Sequence, residues 1–371
     1  MRILLTGGAG FIGSHVVDCL LERGHSVRVL DALIPQVHGN NGHRPSYIGR
    51  DVELIVGTVD NPAVISHALE DVESVIHLAS AVGVGQSMYQ IVAYCSTNVM
   101  GTATLLQVLV ETRRHLKSLV VASSMSVYGE GRYQTSSGEL VNPCARPEGQ
   151  LVAGEWELKG ADGSALRPVP TDEGKPLNPS SVYAINKRDQ EELCLSVGSS
   201  YGIPTTALRL FNVYGSRQAL SNPYTGVAAI FCARLLNDQP PLIFEDGLQR
   251  RDFVHVHDVA RAFVSAVEKP VPGEAINIGS GDSVSVAEIA ELLSLEMKKD
   301  IPPQVLGKYR RGDIRHCFAD VSKARRLLDW QPSTSFRDGL PELVEWVQSQ
   351  RDVRDRVDSA WNELEQRGLL S

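Results

Sequence analysis

The sequence predicts an α/β fold, a doubly wound parallel sheet with a smaller C-terminal lobe, and three observations carry that prediction. Short apolar runs alternate with helical patterns from Arg2 to about Thr205. A glycine-rich turn joins the first run to the first helix, and beyond Gly202 the pieces become short and discontinuous, as in a lobe that leaves a sheet and returns to it. The expected organisation is a nucleotide-binding unit at 1–205 with an insertion at about 130–170, a second lobe at 206–345 with some segments returning to the main sheet, and a helical tail at 346–371.

Arg2–Thr6 is an apolar run, and Gly7-Gly8-Ala9-Gly10-Phe11-Ile12-Gly13 follows it at once. Ser14–Arg23 has helical periodicity, Gly24 ends it, and Ser26–Leu30 reads as the next strand, closed by Asp31. A strand, a glycine turn, a helix and an acid about 20 residues on make the context of a dinucleotide site. In that reading Gly7 allows the tight turn, Gly10 lets backbone N–H groups approach a pyrophosphate, and Gly13 lets helix pack on strand. Phe11 and Ile12 lie in the same turn. Asp31 can accept hydrogen bonds from both adenosine ribose hydroxyls and repels a 2′-phosphate, which favours NAD over NADP.

Pro35 to Arg50 reads as a polar loop, too rich in Gly, Asn and Pro for regular structure. Val52–Val56 is a strand, Pro62–Leu69 a helix and Ser74–Leu78 a fourth strand. Leu78, Ala79 and Ser80 close it with side chains that let the backbone pass under a cofactor, although helix-on-sheet packing explains this segment equally well. Tyr94 to Glu111 is a long amphipathic helix with Asn98, Gly101 and Thr102 near its start. Leu119–Ala122 is a buried strand, and Ser123-Ser124-Met125-Ser126-Val127-Tyr128-Gly129 leaves its C-terminal end.

Glu130 to Pro170 has no sustained period and is too long for a structureless loop, so it reads as an insertion, either a small lid or a β-rich excursion. Asn178-Pro179-Ser180-Ser181 caps a helix beginning near Val182. Thr205–Arg209, Pro241–Phe244, Asp252–Val256 and Ala275–Ile278 follow as strands, with helices at Ala228–Leu236, Val259–Val267 and Val286–Met297. The charged tail helix, mainly Arg351 to Gln366, puts Val353, Val357, Trp361 and Leu364 on one face, which suits packing on the body or on a partner subunit, with a solvated helix as the default expectation.

Composition narrows the function classes. A formal charge of -8 and a pI near 5.7 argue against nucleic acid or an anionic membrane as partner, while a phosphorylated small ligand needs only a few arginines. No stretch approaches a membrane span, and the N-terminal apolar run is too short for a signal peptide, so a cytoplasmic protein is expected. The six cysteines form no CxxC pair and suit a reducing compartment. His255 and His257 have no third ligand type near them in sequence, so no metal is expected.

Tyr183 and Lys187 are one helical turn apart and share a face. Over a nicotinamide ring, the ammonium would stabilise the phenolate and bond the ribose, and the phenol could then exchange a proton with a substrate hydroxyl. Ser124 can orient that hydroxyl.

TGGAGFIGSH, HLAS, the Asn98/Gly101/Thr102 helix start, SSMSVYG, YAINK, RLFNVYG, RRDFVHVHDV, NIGSG and RRGDIRHCFAD stand in the order found in one family. From Arg2 to about Leu340, outside the insertion, the chain resembles an extended short-chain dehydrogenase/reductase of the NAD-dependent epimerase/dehydratase family, which implies a Rossmann-type sheet and a nucleotide-diphosphate sugar substrate. The resemblance implies Ser124, Tyr183 and Lys187 as catalytic residues and Asn98 among the cofactor contacts. It also implies Asn212, Arg251 and Arg310 on the diphosphate, a role that guanidinium forks suit.

Met125 and Ser126 stand where family 4,6-dehydratases carry an Asp-Glu pair and where decarboxylating members carry a Glu at the second place. What remains is C4 epimerisation through a 4-keto sugar, with a 4-keto reductase or dehydrogenase, or a non-catalytic NAD sensor, as alternatives. The insertion and SRQALSNPYTGVAAIF are similar to bacterial dTDP-L-rhamnose 4-epimerases, and Cys144 alone in the insertion does not make the zinc site found in some of those. Thr58 replaces an Asp that often holds the adenine amino group. The family also implies a homodimer joined by the helices starting near Tyr94 and Val182.

Overall fold

The computed structural model describes residues 1–39, 42–224, 226–350, 353, 355 and 357–370. Its centre is a seven-stranded parallel sheet of β1 (Arg2–Thr6), β2 (Ser26–Asp31), β3 (Glu53–Val56), β4 (Ser74–His77), β5 (Ser118–Ser124), β6 (Thr205–Leu210) and β7 (Glu274–Ile278). Their spatial order is β7-β6-β5-β4-β1-β2-β3, so the chain winds outward from β1 in one direction and then, from β4, in the other.

Side-chain alternation along the strands sorts the core into two layers. Ile3 and Leu5 of β1 face Val16 and Leu20 of α1 (Phe11–Glu22). Leu4 points the other way, with Ile65 of α2 (Pro62–Ala68). On that second face α3 runs through three consecutive segments, Ile91–Cys95, Ser96–Met100 and Gly101–Glu111, and α4 spans Val182–Tyr201. A third core belongs to the C-terminal lobe, where α5 (Val227–Leu236) supplies Phe231. The next helix, α6 (Val256–Glu268), returns to the α1 face with Val259 and Phe263, while α7 (Val286–Glu296) and α8 (Phe336–Ser349) add Leu293 and Leu343 to the lobe.

The structure revises several expectations. The helix expected at Tyr94–Glu111 is widened into a π turn at Ser96–Met100, just before Gly101, where a Cβ would lie 2.5 Å from a Val59 methyl. The loop expected at 35–50 opens with a short helix, Pro35–His38, because Pro35 presets the first helical φ. The helix expected from Val259 begins at Val256, which puts His257 in its first turn.

The insertion is the β-rich excursion: Arg132–Gln134 pairs antiparallel with Leu140–Val141 and with Arg167–Val169, over a small core of Tyr133, Leu158 and Leu166. Buried charge fastens it to the C-terminal lobe. Arg146 of the insertion forks onto Glu245 at 2.9 and 2.7 Å. The fully buried Arg315 holds Glu245, Asp246 and, from the insertion, Glu157.

The tail helix is packed where a solvated one was expected. Arg351, its expected start, lies outside the described residues, and the helix α9 spans Val357–Gln366. Val357 and Leu364 are buried, Val353 packs on the C-terminal lobe, and the Trp361 ring centre lies 4.8 Å from that of Phe244. The apolar stripe thus finds an apolar groove, which outweighs the preference of the charged face for water. No helix among the described residues is long and apolar enough to cross a membrane.

Candidate active site

A cavity of about 570 Å³ lies beyond the carboxyl ends of the strands, at the reversal of strand order between β1 and β4. Gly7, Gly10, Phe11, Ile12, Gly13 and Asp31 line one end of it. Leu78, Ala79 and Ser80 line its floor, and Ser124, Tyr183, Lys187 and Asn212 close the other end.

The glycines differ in what they permit. Gly7 has φ +73°, and a Cβ there would lie 2.8 Å from the Ala79 nitrogen. At Gly13 a Cβ would lie 2.3 Å from the Gly7 oxygen, so helix and turn touch only because no side chain intervenes. A Cβ on Gly10 would meet nothing closer than 3.4 Å, so its bareness leaves room for a ligand. Gly10 also caps α1 without a side-chain hydrogen bond, which leaves the positive end of the helix facing the cavity.

Asp31 is oriented at the end of β2 by two backbone donors, Ala9 N at 3.0 Å and Leu33 N at 2.9 Å. A bare phosphate-sized gap at a helix N-terminus beside a fixed carboxylate fits the pyrophosphate and adenosine ribose of NAD. Thr58 lines the same end of the cavity, as does Asp60.

At the other end, α4 is fixed to the sheet by Arg209 of β6, which forks onto Glu191 at 3.0 and 2.5 Å. Ser181 caps this helix by accepting from Ala184 N, as its sequence predicts, and so sets where Tyr183 projects. Burial pushes the Tyr183 phenol up to about 12, while the Ser124 hydroxyl bonded to it pulls the other way. One of the three protons of the Lys187 ammonium is donated to Gln190 Oε1 at 2.8 Å. Burial lowers Lys187 to about 8.

Gln190 continues a buried chain of hydrogen bonds. Its amide donates to Thr102 Oγ1 at 2.9 Å, and His77 bridges Thr102 at 2.9 Å and Thr6 at 2.7 Å. Burial holds His77 neutral, lowered to about 3. This chain ties α4, α3 and the ends of β1 and β4 together under the cavity. Ser126 Oγ donates to Ser124 Oγ at 2.9 Å, and the Ser126 N–H does so at 3.2 Å, so the acceptor side of Ser124 is filled and its own proton is left to donate on the Tyr183 side.

Three predicted residues stand outside the cavity lining. Asn98 makes two bonds to the backbone of Ala81, accepting from N at 2.7 Å and donating to O at 3.1 Å, and accepts from Ser80 Oγ at 3.1 Å. Its place is behind the loop that forms the floor. Arg251 and Arg310 meet instead at Asp313, at 3.5 and 2.8 Å, and together they hold that carboxyl below its ordinary value although burial opposes them. Asn212 does line the cavity, and its Oδ1 is buried without a partner.

Several contributors were not singled out from the sequence. Gln190 lies three residues after Lys187 on one helix, a spacing that could have flagged it. Tyr224 carried no such signal; it lines the cavity and donates to Glu363 of α9 at 3.3 Å, so the tail reaches the edge of the site.

A doubly wound sheet with a glycine turn at its switch point, opening into the same cavity as a serine, a tyrosine and a lysine, defines an enzyme of the nucleotide-cofactor class that works at a substrate hydroxyl. The profile of the NAD dependent epimerase/dehydratase family matches residues 3–149 and 160–279, and the chain belongs to that family. The gap in the match falls inside the insertion. Over 358 residues the chain is 36% identical to a dTDP-L-rhamnose 4-epimerase of Burkholderia thailandensis, covering 95% of this chain and 97% of the relative. The structure of a UDP-glucose 4-epimerase from Thermotoga maritima with UDP-glucose superposes with a TM-score of 0.77 at 30% identity, covering 94% of this chain and 99% of that one. A UDP-glucuronic acid 4-epimerase from Bacillus cereus, in complex with UDP-glucuronic acid and NAD, gives a TM-score of 0.74 at 30% identity with the same coverage.

Proposed function

We propose that the chain is an NAD-dependent nucleotide-sugar 4-epimerase that inverts C4 through a transient 4-keto sugar. The observation that carries this reading is the single cavity joining the glycine turn to Ser124, Tyr183 and Lys187, with Met125 and Ser126 supplying no further acid or base. NAD, when bound, supplies reversible hydride acceptance and return. Tyr183 takes the proton of the C4 hydroxyl as that carbon is oxidised and returns it to O4 when the hydride comes back to the opposite face of the turned keto-sugar, while Ser124 donates to the same oxygen. Lys187 is the cationic neighbour that orients the cofactor ribose and favours the phenolate. Asn212, through its amide N–H, and the Arg251–Arg310 pair at Asp313 hold the diphosphate side of the substrate, the arginines exchanging part of their hold on the carboxylate for phosphate oxygens.

The relatives support a dTDP- or UDP-linked hexose as substrate, with dTDP-L-rhamnose the first to test. The six free cysteines, three of them buried, suit the cytoplasm. Purified enzyme without added cofactor is incubated with dTDP-L-rhamnose, UDP-glucose, UDP-N-acetylglucosamine and UDP-glucuronate, and the products are read by NMR. Inversion at C4 of one of them is the expected result. Conversion that needs added cofactor in stoichiometric amount and yields a net redox product would assign a 4-keto reductase or dehydrogenase instead.

A further inference from the structure

The second concentration of chemistry-bearing side chains lies outside the catalytic cavity. His255 ends the strand Phe253–His255, His257 stands in the first turn of α6, and Glu342 projects from α8. None of the three lines the cavity. The sequence shows only the two histidines, and the fold supplies the missing third ligand.

Glu342 Oε2 lies 3.4 Å from His255 Nε2 and 4.0 Å from His257 Nδ1, and one ligand atom from each of the three side chains lies within 4.8 Å of the others. Bonds of about 2.0–2.2 Å to a tetrahedral ion place neighbouring ligand atoms about 3.3 Å apart. The His255–Glu342 edge already has that length. The His257–Glu342 edge is 4.0 Å, and the His257 side chain is exposed.

The second observation concerns His255 itself. It is only 2% exposed, yet neither of its ring nitrogens has a hydrogen-bond partner. Buried polar groups are almost always paired, so an orphaned Nε2 facing a carboxylate oxygen at 3.4 Å calls for a ligand between them.

The surroundings support the same conclusion. Ser216 Oγ donates to Glu342 Oε1 at 3.4 Å and orients the carboxylate. The nearby cation Arg217 is paired with Asp18 at 2.7 Å. His15 of α1 packs edge-on against His257, with ring centres 4.9 Å apart, and its Nε2 is 3.1 Å from the Ser216 carbonyl oxygen. Two imidazoles and one carboxylate favour zinc-class ions over calcium or magnesium, and leave a fourth position for water.

We propose that His255, His257 and Glu342 bind one divalent ion of the zinc class, which staples α8 of the C-terminal lobe to the strand end and helix start at 253–257. Such a staple would fix the lobe at a point remote from the catalytic side chains, so its readout is separate from turnover.

The test uses tag-free, NAD-loaded enzyme stripped with EDTA and titrated with ZnCl2 by calorimetry, with Co2+ as a spectroscopic probe. One ion per chain, a Co2+ ligand-field spectrum without thiolate charge transfer, and a raised melting temperature are expected. His257→Ala, at an exposed position, and the near-isosteric Glu342→Gln should each weaken binding at least about tenfold. Cys144→Ser, which removes the exposed thiol, should leave it unchanged. No binding by the parent enzyme, binding undiminished in both ligand variants, or binding lost with Cys144 would overturn the proposal.

Discussion

The Tyr183 phenol is the group on which the proposed chemistry turns. Burial holds it near 12, so in the empty site it rests protonated at neutral pH, and it takes the C4 hydroxyl proton only as the phenolate. Ser124 is prepared for one side of that exchange, because Ser126 saturates its acceptor positions and leaves its hydrogen to donate. Tyr183→Phe removes only the oxygen that carries the proton. It should cut turnover by about 10²–10⁴-fold, the usual range for a positioned acid–base group, while the purified variant retains NAD. Turnover is measured by NMR and NAD by absorbance of the released cofactor; near-normal turnover would remove Tyr183 from the mechanism.

Among the elements, the insertion shows how a segment without sequence periodicity acquires a fixed place. Its own core of three buried residues is small, and it is anchored to the C-terminal lobe by the pair of Arg315 with the half-exposed Glu157 and by the wholly buried pair of Arg146 and Glu245. Such pairs gain little over an apolar contact, but breaking one leaves an uncompensated charge inside the protein. Glu157 carries the pH signature of this contact. Its carboxyl is lowered from 4.5 to about 2, first by His316 and then by Arg315. A carboxylate depressed in the folded state stabilises fully above its unfolded value and loses that contribution as pH falls through the folded value. The melting temperature of the parent should therefore exceed that of Glu157→Gln at neutral pH, and the gap should narrow between about pH 4.5 and 2. A gap that stays constant across that range would show that Glu157 does not titrate with docking.

For the molecule as a whole, one group of exposed apolar residues lies on two helices. Val92 is 79% and Met100 58% exposed on α3, with Ile91 beside them, and Ile185 is exposed on the first turns of α4. A patch of this kind marks an interaction surface, and in a symmetric dimer each helix pair meets its own copy. The family expectation of a dimer thus has a physical counterpart on the helices that also carry Tyr183 and Lys187. The combined variant Val92→Asp, Ile185→Asp should sediment as a monomer where the parent sediments as a dimer, because the two-fold axis places each new charge in the interface twice. A monomeric parent would remove this assembly.

The sequence by itself determined what depends on short spacing. Strand, glycine turn and helix follow one another at 2–22, Asp31 closes the next strand, and Tyr183 and Lys187 share a face because a helical turn puts them there. Helix and strand periodicity fix such neighbours before any tertiary contact forms. Only the tertiary structure decided the pairs that are far apart along the chain. Arg251 and Arg310 converge on Asp313, Arg146 and Arg315 clasp Glu245, the tail stripe finds its groove beside Phe244, and Glu342 comes to rest against two histidines. No local period links those positions; they meet because the path of the chain around the sheet and through the lobe brings them together, and burying their apolar neighbours holds them there.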